Sequence, residues 1–477
     1  MKINSSLQPT DLLPQVTQVL ELACKKVRAI DQRWDPSQGT PVFTVNGKYT
    51  TRGWTEWTQG FQYGSALLCF DGTGDRELLD LGRKRTLERM APHVTHMGVH
   101  DHGFNNISTY GNLRRLMREG GIEHNEWENH FYEMALKASG AVQAARWSHA
   151  SPSPGSSIPL GYIHSFNGSH SLFIDTMRSL RSLAVAHQLG HILCGENDCR
   201  ISLLSRLVTH AMTTGQYLVF PGGPSALGSA HGTGGRDVYD VRGRTAHEAI
   251  FNTNDGRFRC PGTQQGYSPF STWTRGLAWA VLGFAEQAEF LSTLTPQDFV
   301  NAMDGNTKHA RSLAIGLFVN DARATADHYI NDVTALDGIP YWDDGAPGLS
   351  QLGDWRERDA EPFNDHEPVD SSAAAIAAQG LIRLGTHLGK AKGKKYLAAG
   401  LTIAKTLLSE PYLSTSSKHE GLILHSIYHR PNGWDHIPRG RKIPCGESSM
   451  WGDYHAIELA VLIQRLARGD YMTFFDR

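Results

Sequence analysis

Apolar residues recur at helical spacing in twelve segments of the chain. The first segment is residues 10–30, where the run LLPQVTQVLELACKKV places apolar side chains on one helical face. The other segments lie near residues 57–70, 75–90, 106–118, 125–145, 172–188, 199–213, 273–290, 296–317, 371–386, 391–408 and 450–468. Alternation of the kind typical of strands is short and rare. The pattern therefore predicts an all-α chain.

Boundary signals accompany several of these segments. Thr295 places a capping hydroxyl before Pro296 at a first helical position. Asp370 and two serines precede the run AAAIAAQGLIRLG, which ends at Gly385. Twelve helices taken in pairs make six helical hairpins, as in an (α/α)6 barrel of inner and outer helices, although other all-α folds fit the same count. We expect residues 1–477 to form a single barrel domain.

Four connections between the helical segments are unusually long. They are rich in Gly, Pro, Ser, His and aromatic residues, and they span residues 146–171, 215–272, 338–369 and 410–449. Loops of this length in a compact domain are functional or disordered, and the aromatic content argues against disorder. We expect them to gather over one end of the barrel and to wall a pocket.

Composition narrows the classes of function. The formal net charge of −2 argues against broad electrostatic binding to nucleic acid. The sequence contains no run of about eighteen apolar residues, so it predicts no membrane span. The N-terminal sequence lacks an apolar signal-peptide region, and the six scattered cysteines fit reduced thiols. We therefore expect a cytoplasmic protein, or a periplasmic one if a signal peptide has been removed from this sequence.

Aromatic and polar residues alternate in WTEWTQGFQYG (54–64) and in GTQQGYSPFSTWTRGLAW (262–279). A sugar has apolar faces and polar edges, so its site needs flat rings beside hydrogen-bonding side chains. The candidate rings are Trp57, Phe61, Tyr63, Trp273 and Trp279, and the candidate polar partners are His247, Gln265 and Arg275. The alternative is that the tryptophans belong to the core.

Two aspartates are candidates for acid and base chemistry. Asp101 lies in HDHGF, and Asp175 lies in LFIDTMRSL. Burial and like charge raise the pKa of one carboxyl in such a pair, so that it holds a proton near neutral pH. Paired carboxyls in an aromatic pocket are typical of glycosidic chemistry. Asp175 is also suited to cap a helix at 176–188, and the two interpretations are compatible.

A metal site is a weaker interpretation of the same aspartate. His100, Asp101 and His102 are consecutive, and helical residues one or two apart do not converge on one ion. The sequence has no HExxH motif and no CxxC pair. We expect no metal and no other cofactor.

The chain resembles the unsaturated glucuronyl hydrolases, glycoside hydrolase family 88, over about residues 50–470. The blocks that carry the resemblance are WTQGF (57–61), HDHGF (100–104), FIDTM (173–177), GTQQGYSPFSTWTRGLAWAVLGFA (262–285), PYWD (340–343), DSSAAAIAAQGL (370–381) and MWGDYHAIELAVL (450–462). The resemblance implies an (α/α)6 barrel without metal or organic cofactor. It also implies substrates left by polysaccharide lyases, which carry a 4,5-unsaturated uronic acid at the non-reducing end.

The implied reaction protonates C4 of the enol ether, adds water at C5 and releases a keto acid as the hemiketal collapses. Position by position, Asp175 matches the general acid and base, and Asp101 matches the second catalytic carboxyl. We expect apolar walls and Asp101 to raise the pKa of Asp175. Arg275 is expected to bind the uronate carboxylate or to support a catalytic aspartate. The other matched pocket residues are Trp57, His100, His247, Gln265, Trp273 and Trp279.

The chain departs from the family pattern in segments that would shape the site for the downstream sugar. Arg178 replaces an asparagine, Phe166 lies where a tryptophan is expected, and the insertion at 195–244 is long. Arg439, Arg441 and Lys442 are candidates to bind a sulfate or a second uronate, or else a solvated charge run. These departures leave open the parent polysaccharide: glycosaminoglycan, ulvan, xanthan or gellan.

Three other functions compete with this interpretation. An unsaturated rhamnogalacturonyl hydrolase would use the same barrel and the same reaction. A non-catalytic sugar-binding barrel would be expected to lack one of the two carboxyls. A polysaccharide lyase on a similar toroid would need a Tyr/His pair and a neutralising group, for which Tyr110, His164 and Asn105 are available.

Overall fold

The structure, a computed structural model, describes residues 1–53, 57–152, 160–222, 240–302 and 310–476. The helices are α1 Leu13–Arg33, α2 Gln59–Thr73, α3 Arg76–Arg89, α4 Ala91–Val94, α5 His102–Asn106, α6 Asn112–Arg118, α7 Glu126–Ala145, α8 Thr176–Ser179, α9 Arg181–Gln188, α10 Leu203–Leu218, α11 Thr274–Thr293, α12 Pro296–Ala302, α13 Ala310–His328, α14 Ser371–Leu407 and α15 Met450–Ala467. A helix is present in every segment where the periodicity predicted one, which confirms the all-α prediction.

Several predicted helices are interrupted. A π-helical turn, Ile107–Gly111, joins α5 to α6, and α14 bends at Gly389, where φ is 72°. The two segments predicted at 371–386 and 391–408 are therefore the two halves of α14. Residues 303–309 of the segment predicted at 296–317 lie outside the described residues.

The helices close into two rings. The inner ring runs through α2, α5, α8, α11, the first half of α14 and α15, and α15 packs back against α2. Residues of α11 and α15 are buried on nearly all sides, as expected for helices enclosed by a second layer. The remaining long helices, α1, α3, α7, α10, α13 and the second half of α14, lie outside. The predicted (α/α)6 barrel is confirmed.

Glycines set the distance between neighbouring inner helices. A Cβ atom on Gly60 of α2 would lie 2.3 Å from the carbonyl oxygen of Asn105, and one on Gly103 of α5 would lie 2.2 Å from that of Ser179. A Cβ atom on Gly283 of α11 would likewise lie too close to the backbone of α8, and one on Gly380 of α14 too close to the backbone of α11. The glycines of the WTQGF and HDHGF blocks are thus explained by backbone contact between helices.

All inner helices begin at the same end of the barrel, because each is preceded by an outer helix that runs the opposite way. The long connections lead into the N-terminal ends of α8, α11, α14 and α15. They contact one another there, as where the Tyr267 N–H donates to Asp343 and the Ser151 N–H to Gly256. This confirms the prediction that long loops wall one end of the barrel.

The strands are short and belong to those loops. They are β1 Pro41–Val45, β2 Lys48–Thr51, β3 Trp147–Ala150, β4 Leu160–Ile163, β5 Ser171–Phe173, β6 Leu193–Cys194, β7 Arg200–Ile201, β8 Glu248–Phe251 and β9 Phe258–Gly262. The sheet β5–β8–β9 pairs Phe173 with Glu248, and the Ile174 N–H donates to the carbonyl oxygen of His247 at 3.0 Å. This pairing brings His247 beside the start of α8. None of the helices in the described ranges combines the length and apolar character that crossing a bilayer requires.

A buried ion network lies inside the inner ring. Arg178 of α8 pairs with Glu286 of α11 and, at 2.8 Å, with Glu458 of α15. Burial alone would raise the pKa of Glu458, but the nearby charges of Arg178 and Arg181 outweigh it and lower the pKa to about 2. Arg178, a departure from the family pattern, therefore links three inner helices.

We predict that Arg178→Met lowers the free energy of unfolding by about 3–5 kcal/mol, because it leaves buried Glu286 without its cation and Glu458 with only the looser contact of Arg181 at 3.7 Å. Urea unfolding followed by circular dichroism measures the loss. Arg257→Met is the matched control, since the Arg257 side chain is 80% exposed and its pair with Asp255 is loose. Equal stability of the two variants would contradict a structural role for the network.

Candidate active site

Asp101 and Asp175 stand at the N-terminal ends of two neighbouring inner helices. Asp101 is the N-cap residue of α5 and Asp175 that of α8, but neither side chain accepts a capping hydrogen bond. Asp370, the N-cap of α14, by contrast accepts hydrogen bonds from the N–H groups of Ser372 and Ala373. The capping role expected for the Asp175 side chain is therefore wrong, and both carboxyls are available for chemistry.

His100 joins the two carboxyls. Its Nε2 lies 3.1 Å from Oδ1 of Asp175 and 3.8 Å from Oδ1 of Asp101. The carbonyl oxygen of His100 accepts hydrogen bonds from the side chains of Gln143 and Ser179, which fix the segment that carries the histidine. These three residues are the candidates for catalysis, and we call His100, Asp101 and Asp175 the catalytic cluster.

The charges of the catalytic cluster are set by burial and by mutual attraction. Burial raises the pKa of Asp101 to about 6, although His100 opposes the shift. Burial also acts to raise the pKa of Asp175, but the hydrogen bond and charge of His100 outweigh it and lower that pKa. Burial acts to lower the pKa of His100, yet the two carboxylates raise it overall. These directions favour a proton on His100 over one on Asp175, and the raised carboxyl pKa belongs to Asp101.

This distribution contradicts the raised pKa that the sequence predicted for Asp175. The physical reason is the imidazolium of His100, which donates to Asp175 at hydrogen-bonding distance and stabilises its charged form. His100 is adjacent to Asp101 in the sequence, but the shorter contact of His100 is with Asp175, which is 75 positions away.

His247 is arranged as a neutral hydrogen-bond donor. Its Nδ1 accepts from the N–H groups of Gln264 at 2.9 Å and Gln265 at 3.3 Å, so the ring hydrogen is assigned to Nε2. Burial lowers the pKa of His247 to about 3, which keeps the ring neutral at pH 7. Nε2 is buried and makes no hydrogen bond with any described residue. The ring packs between Phe173 and Trp273, with centroids 4.5 and 4.6 Å away.

Arg275 is a buried residue that connects several of the segments around the pocket. It is 1% exposed, and its guanidinium donates to Asp370 at 3.0 Å and to Gln265 Oε1 at 2.7 Å. It also donates to the backbone carbonyls of Ile427 and Tyr428. These contacts use both terminal nitrogens of Arg275, and its Nε is buried without a hydrogen bond to any described residue, so the expectation that Arg275 binds the uronate carboxylate is not supported. Its carboxyl partner is Asp370, not a catalytic aspartate.

The expected aromatic residues divide into pocket and core. Trp57 is partly exposed, with its ring 4.9 Å from that of Trp451, and Trp273 lies against His247. Trp279 is 1% exposed and packs against Phe104 and His455 in the barrel interior, so its expected contact with substrate is contradicted. The other rings assigned to the core are Phe61 and Tyr63.

Phe166 and the basic residues lie on the rim. Phe166 is 60% exposed, and its ring stacks 6.2 Å from that of His100, so it borders the catalytic cluster. Arg441 lies over the ring of Phe363 and donates to its carbonyl oxygen, while Lys442 pairs with Asp365. The contacts of Arg441 and Lys442 are thus with residues of the rim and not with the catalytic cluster, and Arg439 is exposed.

Sequence reasoning missed His210 and Asp435. His210 on α10 is fully buried, accepts a hydrogen bond from the Ile163 N–H, and lies close enough to His100 and Asp175 to feel their charges. Asp435 accepts from the N–H groups that follow Ile427 in the last long loop. His210 lies within a regular amphipathic pattern, so no sequence signal separated it from a core residue.

The described residues contain no group of three or more His, Cys, Asp or Glu side chains that could hold a metal ion. The expectation of a metal-free site stays a prediction. The catalytic cluster combines two carboxyls with one imidazole, which are groups that acid and base chemistry uses.

We predict that Asp101→Asn stabilises the protein above about pH 6, by at most about 3 kcal/mol, while activity falls. The folded state binds the Asp101 proton more tightly than the unfolded state, because its pKa is raised from 3.8 to about 6. Wild-type stability is therefore lost as pH rises through this window, and asparagine avoids the loss. Urea unfolding from pH 4 to pH 8 tests this, with Asp80→Asn on the exposed face of α3 as control. A less stable Asp101→Asn variant at pH 8 would refute it.

No family model matches the chain, but curated relatives do. The unsaturated glucuronyl hydrolase of Bacillus sp. (strain GL1) is 25% identical over 431 residues, which cover 89% of this chain and 90% of the relative. The enzyme of the same name from Formosa agariphila is 25% identical over 84% of this chain and 78% of its own. The unsaturated chondroitin disaccharide hydrolase of Streptococcus pyogenes serotype M1 is 23% identical over 94% and 91%.

Solved structures share the barrel. The crystal structure of the Bacillus sp. GL1 unsaturated glucuronyl hydrolase matches with a TM-score of 0.66 at 21% identity, covering 98% of this chain and 99% of that chain. An unsaturated glucuronyl hydrolase specific for heparin matches with a TM-score of 0.65 at 19% identity, covering 96% and 99%. The chain is therefore similar in sequence to enzymes named unsaturated glucuronyl hydrolase and shares the fold of their solved structures.

Proposed function

We propose that the chain removes the 4,5-unsaturated uronic acid from the non-reducing end of oligosaccharides made by polysaccharide lyases. The observation that carries the proposal is the catalytic cluster, in which His100 joins Asp175 and Asp101 at the mouth of the barrel. The relatives support it, since they are named for hydrolysis of unsaturated glucuronyl compounds and of unsaturated chondroitin disaccharides. They favour this substrate class over the rhamnogalacturonyl and lyase alternatives.

The chemistry is hydration of an enol ether. The carboxyl of Asp175 gives its proton to C4, and positive charge develops at C5 and the ring oxygen. Water then adds at C5 and returns a proton to Asp175. The resulting hemiketal opens to a ketone at C5, and the hemiacetal left at C1 breaks its bond to the downstream sugar. One water is consumed, and the products are a keto acid and a shortened saccharide.

His100 supplies the proton that Asp175 needs. The directions of their pKa shifts favour an imidazolium and a carboxylate for this pair, in which Nε2 of His100 lies 3.1 Å from Oδ1 of Asp175. Transfer of the proton along this hydrogen bond produces a neutral imidazole and a carboxylic acid. A bound sugar excludes water from the mouth, and the lower polarity favours the neutral pair over the charged one. Substrate binding therefore favours the protonated form of Asp175, which is the acid of the proposed reaction.

Asp101 acts through its charge. Because its pKa is about 6, it is ionised at neutral pH, where it keeps His100 protonated and faces the positive charge that develops on the sugar. Protonation of Asp101 below that pH removes both effects. The Nε2 hydrogen of His247 and the amide of Gln265 are the donors proposed for the uronic acid, with Trp57 as the apolar surface.

We further propose that the enzyme acts in the cytoplasm as a single catalytic domain without a cofactor. All six cysteines are free thiols in the structure, including the buried Cys24, Cys69 and Cys445. Free thiols are typical of a reducing compartment.

We predict that Asp175→Asn lowers kcat by about 10²- to 10⁴-fold, the usual contribution of a general acid, while the protein stays folded. The assay follows loss of ultraviolet absorbance as the enol ether of a lyase-made disaccharide is consumed. Asp80→Asn is the matched control and should turn over like the wild type. Near-normal turnover by Asp175→Asn would remove that residue from the mechanism.

Methanol as cosolvent separates hydration from ordinary glycoside hydrolysis. We expect methanol to compete with water at C5, so that mass spectrometry and NMR find the methoxy group on C5 with the glycosidic bond intact. A methoxy group on C1 would mean direct attack at the glycosidic carbon. A rise in absorbance with intact polymer would mean that the chain is a lyase.

A further inference from the structure

We propose that Arg52 and Trp434 form the binding surface for the sugar that follows the unsaturated uronic acid, and that Arg52 binds an oxyanion on that sugar. The oxyanion is a sulfate ester or a carboxylate. The inference deepens the proposed function, on which it rests. It assigns recognition of the anionic group to a residue that the motif blocks do not include.

A series of packed aromatic rings, of which Trp451 and Tyr428 are buried, connects Trp57 at the mouth of the barrel to Trp434. The ring of Trp57 lies 4.9 Å from that of Trp451, which lies 5.0 Å from that of Tyr428. Tyr428 in turn lies 5.3 Å from Trp434, and the Trp434 side chain is 40% exposed. The series ends in an exposed indole on the rim, where a sugar ring next to the pocket could stack.

The loop that carries Trp434 is fixed to the pocket. Asp435 accepts hydrogen bonds from the N–H groups of Tyr428 and His429, at 2.5 and 3.1 Å. Arg275 donates to the Tyr428 carbonyl oxygen at 2.8 Å. The ring of His429 lies 4.8 Å from that of Trp434, and His429 is close enough to His247 to contribute to its lowered pKa. Trp434 is therefore held at a set position relative to the proposed uronate donors.

Arg52 is an exposed cation held in place by these rings. Its guanidinium lies 4.9 Å from the ring centroid of Trp434 and 5.7 Å from that of Tyr428. Within the part of the chain that the structure describes, no carboxylate pairs with Arg52. Stacking on an aromatic face orients a guanidinium while leaving its N–H donors free at the edge. Those donors suit the paired oxygens of a sulfate or carboxylate.

The basic residues that the sequence favoured are less suited to this role. Arg441 already stacks on Phe363 and donates to its backbone, and Lys442 pairs with Asp365 at 3.1 Å. Arg439 is exposed, and no aromatic ring among the described residues lies against its guanidinium. Arg52 therefore combines a free set of donors with a fixed orientation next to an aromatic platform.

The test compares two lyase-made unsaturated disaccharides that differ only by a sulfate ester on the second sugar. We expect the wild type to prefer the sulfated substrate in kcat/KM, and Arg52→Gln to reduce that preference by about tenfold, the value of one charged hydrogen-bonded contact. Trp434→Ala should raise KM for both substrates by about fivefold with little change in kcat. Arg257→Gln, on a distant exposed surface, is the matched control.

A second substrate pair, with and without a carboxylate on the second sugar, identifies the oxyanion. Loss of preference in either pair supports the assignment of Arg52. An unchanged preference in both pairs for Arg52→Gln, or a loss that appears in Arg439→Gln instead, overturns it. Thermal unfolding of each variant checks that the fold is kept. If the wild type consumes none of the substrates, the proposed function itself has failed, which is distinct from a wild type that is active but insensitive to Arg52.

Discussion

The site depends on how closely the inner helices approach one another. At Gly103 the backbone of α5 lies against that of α8, with no room for a side chain between them. Asp101 and Asp175 are the N-cap residues of these two helices, so the same contact sets the distance between the two carboxyls. A larger residue at Gly103 would move the helices apart and separate His100 from one of its partners. The glycine of the HDHGF block is in this sense part of the catalytic geometry.

The orientation of the inner ring explains why two carboxylates are tolerated in a buried site. The N-terminal ends of all the inner helices converge at the mouth, and their dipoles favour negative charge there. One imidazolium then suffices to balance Asp175, while Asp101, farther from His100, keeps a raised pKa of about 6. In the proposed mechanism the acid is consequently the hydrogen-bonded pair of His100 and Asp175, and that mechanism does not require a raised pKa at Asp175 in the free enzyme.

The fold was largely predictable because helical periodicity reports which face of a segment is buried, and loop length reports where irregular structure collects. For the site, the sequence could predict only the residues that lie within the local motif blocks. Arg275 was expected to bind substrate, yet it is satisfied by Asp370 and by the backbone of Ile427, 95 and 152 positions away. Trp279 lies on a helix that is apolar on all sides, which is the pattern of a buried inner helix and favours a core position. Contacts between residues so far apart along the chain cannot be predicted from the local sequence.

The residues proposed for chemistry and those proposed for specificity occupy different parts of this barrel. The catalytic cluster stands on helix ends whose spacing is fixed by backbone contact, whereas Trp434 and Phe166 stand on the long loops. Arg275 connects the two parts, because it reaches both the N-cap of α14 and the backbone of the last loop. Loops anchored at a few such points can change their exposed side chains without moving the catalytic cluster. A chain that keeps its motif blocks on helix ends and departs from its relatives in the rim is therefore expected to retain the reaction while selecting a different downstream sugar.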